Sequence, residues 1–439
     1  MNVYFYIDEL NRDAITASKL KKRLENKGHK IVYGSRTTIK FLKYFHYLFD
    51  VIIITRPGLL TLHFQESWLK WKEKIVTLST ESVGIICEDH ALMSKTLLER
   101  EYFEGDKRFA KRIDLYALWG LEQYLSIKKF ANELLKKCRI IGHPRYDSFV
   151  PGKRKNDPKI KIVGVLARSY FLNDYYNRSS LSLWGDTGNL YNSFEYFKNN
   201  RNKLPYKRNS TKQSTILQTI DVDSTFLIIQ KLDLIKNVKI IFRPHPRENH
   251  QTWRQALMSF KKIEFHDVKY PISDLLEKVD YLISPPTTSF YDAILHNVVP
   301  ISTCSIDKKR KLFLAELSED NNNLMKYIFK PESINDILYF IKKKKKFRIK
   351  TVENILHKEL NFPECKNSLD NLVSHIEILK KKEKKTYFFL TCILFLFEIY
   401  FLFWSIRNII IGRKSHSAYF ALNFKIKKFI NNLSNQTNI

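Results

Sequence analysis

Short apolar runs alternating with stretches of helical periodicity recur from Val3 to Ser302 in this 439-residue chain, and no other feature restricts its fold as tightly. Val3–Ile7, Lys30–Tyr33, Val51–Thr55, Ile75–Ser79, Val83–Cys87, Leu115–Trp119 and Arg139–Gly142 read as strands. Ala14–Lys27, closed by Gly28, and Leu121–Lys137 read as helices between them. Strands apolar on both faces and joined by helices require a parallel sheet covered on both sides. Pro151 to Pro158 (PGKRKNDP) has linker composition, and a second series follows it. Its strands are Ile160–Leu166, Lys239–Phe242, Tyr281–Ser284 and Val298–Ser302, and its helices Asp223–Lys236, Thr252–Lys262 and Ser289–His296. Tyr170 to Ser214, rich in Asn, Tyr and Ser, reads as an insertion within it. The expectation is two facing α/β domains, 1–150 and 151–345, with ligands in a cleft beyond the carboxyl ends of the strands.

Composition narrows the function. Lys plus Arg number 75 against 45 Asp plus Glu, a formal charge of +30. The excess is Lys rather than Arg, and much of it lies in runs such as Lys342 to Lys346 and Lys380 to Lys385. No nucleic-acid motif accompanies it, so the expected anionic partners are a nucleotide, a glycan or a membrane surface, and not a nucleic acid. Five scattered cysteines without a CxxC pair exclude a disulfide scaffold and fit a reducing compartment. The opening residues lack the signature of a signal peptide.

Residues 346–439 read as a basic helical tail that associates with a membrane. Tyr387 to Ile406 is a 20-residue apolar run with one charge, Glu398. At 1.5 Å per residue it matches a hydrocarbon core of ~30 Å. Flanking Lys and Arg, six on each side, do not orient it, and Ile426, Phe429 and Ile430 with Lys425, Lys427 and Lys428 give an interfacial pattern. A span, a segment lying on the membrane and a buried helix all fit.

Chemistry concentrates at strand ends. Arg243-Pro244-His245-Pro246-Arg247 follows a strand of the second series. Two prolines stiffen the loop, the guanidiniums of Arg243 and Arg247 suit a phosphate, and His245 can bind or protonate a departing phosphate oxygen. Ser284, Thr287, Thr288 and Ser289 lead from another strand into a helix, a pattern for holding phosphate or simply for capping. Glu88 and Asp89, ahead of His90, follow a strand of the first series and offer a general base for an acceptor hydroxyl. Asp221-Val222-Asp223 reads as helix capping rather than a metal site. No metal and no cofactor enter this reading.

In order along residues 1 to 330, these features resemble the bacterial surface-carbohydrate biosynthesis proteins. Ile7-Asp8-Glu9 with Arg12-Asp13, then Gly34-Ser35-Arg36, is similar to that family's acidic–Arg–acidic start. Trp119-Gly120 with Gln123, then Gly142-His143-Pro144-Arg145-Tyr146-Asp147, is similar to its G-N-P-R-[FY]-D signature, with His143 for Asn. The resemblance puts Glu9, Arg12, Asp13 and Arg145 on the acceptor or cleft side. Bacterial sialyltransferases and Kdo transferases share an acid motif, an HP motif and a Ser/Thr motif of this kind. That likeness implies a GT-B fold of two Rossmann-type domains and a CMP-activated acidic sugar donor, with His245 on the CMP phosphate. His90 stands where the related acid motif has Gly. The implied function is a glycosyltransferase of surface polysaccharide synthesis at the cytoplasmic face of the inner membrane. Its partners are the nucleotide-activated sugar, a glycan or glycolipid acceptor and the membrane surface. A CDP-glycerol glycerophosphotransferase and a non-catalytic scaffold of a polysaccharide assembly complex are the alternatives.

Overall fold

The computed structural model describes residues 1–7, 10–34, 38–55, 60, 64, 66–78, 107–150, 159–170, 172–174, 205–268, 270–306, 324, 327–343, 352–379, 392 and 403, with backbone alone at 10–15, 38, 107, 109–110, 130 and 205–216. Its described part divides into two compact units, one drawn from residues 1–149 and 357 onwards, the other from 150–356.

The first unit holds a six-stranded, wholly parallel sheet: β1 (Asn2–Tyr6), β2 (Lys30–Gly34), β3 (Val51–Ile54), β4 (Lys74–Leu78), β5 (Leu115–Leu118) and β6 (Cys138–Ile140), in the order β2-β1-β3-β4-β5-β6. Every residue of β1, β3 and β5 is buried, as a sheet covered on both faces demands. Helix α1 (Leu10–Asn26) lays Ala17, Leu20 and Leu24 on it at helical spacing. Gly28 ends that approach at φ +75, where a side chain is strained. Helix α2 (Leu121–Phe130) stops short of Lys137, and a 3-10 turn, Asn132–Lys137, completes the stretch. The expected strand Val83–Cys87 lies outside the described residues.

The second unit holds five parallel strands: β7 (Lys161–Leu166), β8 (Val238–Arg243), β9 (Ile263–Phe265), β10 (Tyr281–Ser284) and β11 (Val299–Ser302), ordered β11-β10-β7-β8-β9. Strand β9, only three residues long with exposed Glu264 between two half-buried residues, gives no apolar run to read. Helix α3 (Pro205–Asp233) starts well ahead of the expected Asp223, so the end of the presumed insertion is helical. Asp221 and Asp223 therefore sit inside a helix rather than at its start; the Thr225 hydroxyl donates to the Asp221 carbonyl one turn back. Helix α4 (His250–Ala256), α5 (Ser289–Leu295) and α6 (Ile334–Lys342) follow.

Residues 353–379 are not an appendage. Helix α7 (Glu353–Leu360) leads into α8 (Ser368–Ile378), whose Leu369, Leu372, Val373 and Ile376 are fully buried among Val3, Val51, Val76 and Ile141. At roughly 1.5–3 kcal/mol for each buried aliphatic side chain, that face welds α8 to the first sheet. The spacing i, i+3, i+4, i+7 was present in the sequence, but the basic runs around it masked its meaning. Among the described residues no helix is long and apolar enough to cross a membrane. The run Tyr387 to Ile406, apart from Cys392 and Phe403, lies outside them.

Candidate functional site

Strand order locates the site before any side chain is considered. In the second unit the chain leaves β7 toward β8 and β9, then crosses to β10 and β11 on the other side. Loops after β7 and β10 thus diverge at a topological switch point, where ligands of open α/β sheets bind. The loop after β8 borders the same place. Neighbouring strands lie ~4.8 Å apart, so the ends of β8 and β10 are about 10 Å apart across β7, room for a phosphate or diphosphate.

The Arg-Pro-His-Pro-Arg segment forms the turn after β8. His245 is half-buried, its ring 5.2 Å from that of Tyr170 in the loop after β7. Its Nδ1 accepts the Arg247 backbone N–H at 3.1 Å. In the neutral ring the proton is then on Nε2, which is left as a donor. Desolvation holds the His245 pKa down, to about 3, with the cations Arg247, Arg168 and Arg243 adding to the effect. A neutral donor ringed by guanidinium charge is a site prepared for an anion.

One buried carboxylate assembles this turn. Glu248 is fully buried and accepts from the Ser169 hydroxyl at 2.8 Å, the His245 N–H at 2.9 Å and the Trp253 indole at 2.8 Å, and also from the Ser169 N–H. Burial raises its pKa, against those hydrogen bonds, which favour the charged form. The loop after β7 is further zipped to the turn by Asn249 N–H to the Asn173 carbonyl (3.0 Å) and by the Asn173 amide to the Asn249 carbonyl (2.9 Å). Glu248, Ser169, Trp253 and Arg168 were all missed by sequence reasoning. The available signal was Ala167-Arg168-Ser169-Tyr170 directly after a strand, at the turn where such sheets bind ligands.

Arg243, expected on the phosphate, also has partners within the fold. Its guanidinium is buried and donates to His266 Nδ1 (2.6 Å) and to the carbonyls of Asp267 (3.3 Å) and Tyr270 (3.0 Å). It pins the segment after β9, and it acts on His245 through its charge. His266 is held down to about 4, by desolvation first and then by Arg243. Ser284 is buried at the end of β10, whereas Thr287, Thr288 and Ser289 are half-buried at the start of α5. The Thr287 hydroxyl accepts the Ser289 N–H at 3.3 Å, and no side chain caps the helix from Thr288.

In the first unit, β1 has β2 on one side and β3 on the other, so the carboxyl end of β1 is that sheet's switch point. Arg12 and Asp13 lie in the first turn of α1, just beyond it. Glu9, Glu88 and Asp89 lie outside the described residues. Arg145 is exposed on the 3-10 turn Pro144–Tyr146, where His143 Nδ1 accepts the Arg145 N–H at 3.1 Å. The rest of that motif holds the returning chain. Asp147 receives Leu369 N–H (3.1 Å) and Arg23 (2.7 Å), and Ser148 N–H reaches the Lys366 carbonyl (2.9 Å). Gly142, at φ +90, leaves no room for a side chain: a Cβ would stand 2.5 Å from the Cys365 Cα. Gly120 likewise faces the Lys358 carbonyl.

Among the described residues no group of three or more His, Cys, Asp or Glu is placed to hold a metal ion. No protein-family model matches the chain, and no curated protein matches it either. Among solved structures, an S. aureus MnaA–UDP co-structure aligns with TM-score 0.49 and 10% identity, over 88% of this chain and 99% of that one. The wall teichoic acid polymerase TagF, soaked with CDPG, aligns at 0.48 and 11%, over 86% and 88%. UDP-GlcNAc 2-epimerase from Methanocaldococcus jannaschii aligns at 0.46 and 10%, over 85% and 100%. Each is a distant likeness, and the chemistry of this chain is argued from its own residues.

Proposed function

We propose that this chain is a glycosyltransferase of the GT-B type, acting in bacterial surface-polysaccharide synthesis. It moves an acidic sugar of the Kdo or sialic-acid class from a CMP-linked donor to a glycan hydroxyl. The observation that carries the reading is the Nε2–H of His245, set among Arg168 and Arg247 at the switch point of the second sheet. In a CMP-linked sugar the phosphate carries one negative charge. Breaking its bond to the anomeric carbon leaves a second charge on the departing oxygen. Donors aimed at that oxygen stabilise the transition state more than the ground state. His245 donates to it, the two guanidiniums offset its charge, and the Thr287–Ser289 hydroxyls border the same place. Glu88, with Asp89 as the second candidate, takes the proton of the acceptor hydroxyl as the new bond forms. Residues 380–439 hold the enzyme at the cytoplasmic face of the inner membrane, where activated sugars are made.

Thermal melting with CMP-, CDP- and UDP-linked donors tests the donor class. At a hundred times the dissociation constant, the true donor stabilises the protein by about 2.7 kcal/mol. Turnover assays with CMP-Kdo, CMP-sialic acid and CDP-glycerol then separate the readings. Transfer from a CMP-sugar supports the proposal, transfer from CDP-glycerol makes the chain a glycerophosphotransferase, and stabilisation by none of the donors leaves a scaffold.

A further inference from the structure

At the amino edge of the first sheet, opposite its switch point, the segment 38–48 carries a second surface that the transfer chemistry does not use. Asn2 fixes it there: the Asn2 amide donates to the Leu48 carbonyl at 3.1 Å, and Asp50 N–H reaches the Asn2 carbonyl. Phe41, Leu42, Leu48 and Phe49 are buried beneath, so the segment is anchored. Above them Tyr44 is 61% exposed and Tyr47 46%. The rings form one chain: Tyr44 to Phe45 at 6.5 Å, Phe45 to Tyr47 at 6.4 Å, Tyr47 to His46 at 6.1 Å, and His46 stacked on Trp71 at 4.5 Å.

Among the described residues the lysines around these rings are exposed, and the acids are paired or buried. Lys40, Lys43, Lys70 and Lys72 are exposed, and Lys43 lies 5.5 Å from the Tyr44 ring. Of the acids nearby, Glu73 is buried against His46 at 2.8 Å, and Glu66 is held by Arg108 at 2.7 Å. Asp50 is buried and accepts Asn2 N–H at 2.7 Å. Exposed tyrosines with lysines around them match the headgroup layer, where the ring enters the interface and the ammonium stays at the phosphates. We propose that this aromatic–basic patch docks the first unit on an anionic lipid surface. It does so independently of the donor reading and of the tail.

Lysine acetylation of the full-length protein, read residue by residue with mass spectrometry, tests this. Vesicles of phosphatidylglycerol and phosphatidylcholine are compared with phosphatidylcholine alone, and with Lys261, exposed in the second unit, as reference. Docking slows acetylation of Lys40, Lys43, Lys70 and Lys72 about threefold or more on anionic vesicles only. Tyr44→Ser with Tyr47→Ser abolishes that protection while Lys261 is unchanged. At about 1 kcal/mol per lysine near a charged surface, Lys40→Gln with Lys43→Gln weakens the protecting interaction roughly thirtyfold. Equal acetylation of the patch and Lys261, or protection by a soluble anionic polysaccharide without protection by vesicles, overturns the proposal.

Discussion

Glu248→Gln is the sharpest test of how the anion site is built. The wild-type carboxylate takes four donors: one oxygen faces the Ser169 N–H and hydroxyl, the other the His245 N–H and the Trp253 indole. Glutamine keeps one oxygen and puts an NH₂ where the other was. If that NH₂ faces Ser169, the hydroxyl can turn to accept it, but the Ser169 N–H loses its partner. If it faces the other way, the His245 N–H and the indole both lose theirs. Hydrogen bonds to a charged group contribute roughly 1.5–3 kcal/mol each, so losing one or two costs about 1.5–6 kcal/mol. Removing a buried charge whose pKa is already raised returns part of this, leaving ~1–4 kcal/mol. Denaturant unfolding should show a lower midpoint with an unchanged slope. The same change loosens the loop after β7 from the turn after β8, leaving the Asn173–Asn249 pair between them, so CMP affinity should fall about tenfold or more. Glu264→Gln, at an exposed position of β9, is the control, with less than about 0.5 kcal/mol. If Glu248→Gln melts like wild type and binds CMP equally well, the account of the carboxylate as the clamp of this site is wrong.

His245→Ala should weaken CMP binding or turnover about tenfold to a hundredfold, the worth of one charge-assisted hydrogen bond, as read by calorimetry and initial rates. His245 also links binding to pH: its pKa of about 3 rises when an anion offsets Arg247 and Arg168, so binding takes up protons. Affinity should climb as pH falls from the bound pKa toward the free one, and calorimetry in buffers of different ionisation enthalpy should show that uptake; proton release on binding would contradict it. Gly142→Ala should cost ~2 kcal/mol or more in the first unit, through φ +90 and the contact with Cys365, whereas Gly28→Ala, strained at φ +75 but facing open space, should cost about 1 kcal/mol. Equal midpoints for the two variants would mean that the returning chain does not press on Gly142. Glu88→Gln should lower turnover ~10²–10⁴-fold with donor binding nearly unchanged; if it and Asp89→Asn both keep near-normal rates, the base lies elsewhere, with Glu9 or Asp13 next in line.

What the sequence determined by itself was whatever depends on neighbours along the chain. Runs such as Val51 to Ile54 are apolar on both faces, and a backbone so placed must hydrogen-bond in a covered parallel sheet. Strand ends followed by His245 or Thr287 were legible for the same reason, since a loop is read from the strand before it. Strand β9 and the start of α3 were not, because three residues with none fully buried and a polar first half carry no periodic signal. Tertiary structure alone decided what each polar group does. Arg243 reads from the sequence as a phosphate ligand, and only the fold brings His266, 23 residues on, and two carbonyls to its guanidinium. Glu248 looks like a solvated loop acid until Ser169, 79 residues earlier, closes on it. The Gly142–Asp147 motif reads as a substrate signature, yet much of it grips a segment more than 200 residues away, with Leu369 N–H on Asp147 at a separation of 222. Apolar burial follows from pattern because it is non-directional. A hydrogen bond needs its particular partner at its particular distance, and for these groups folding alone brings the partner there.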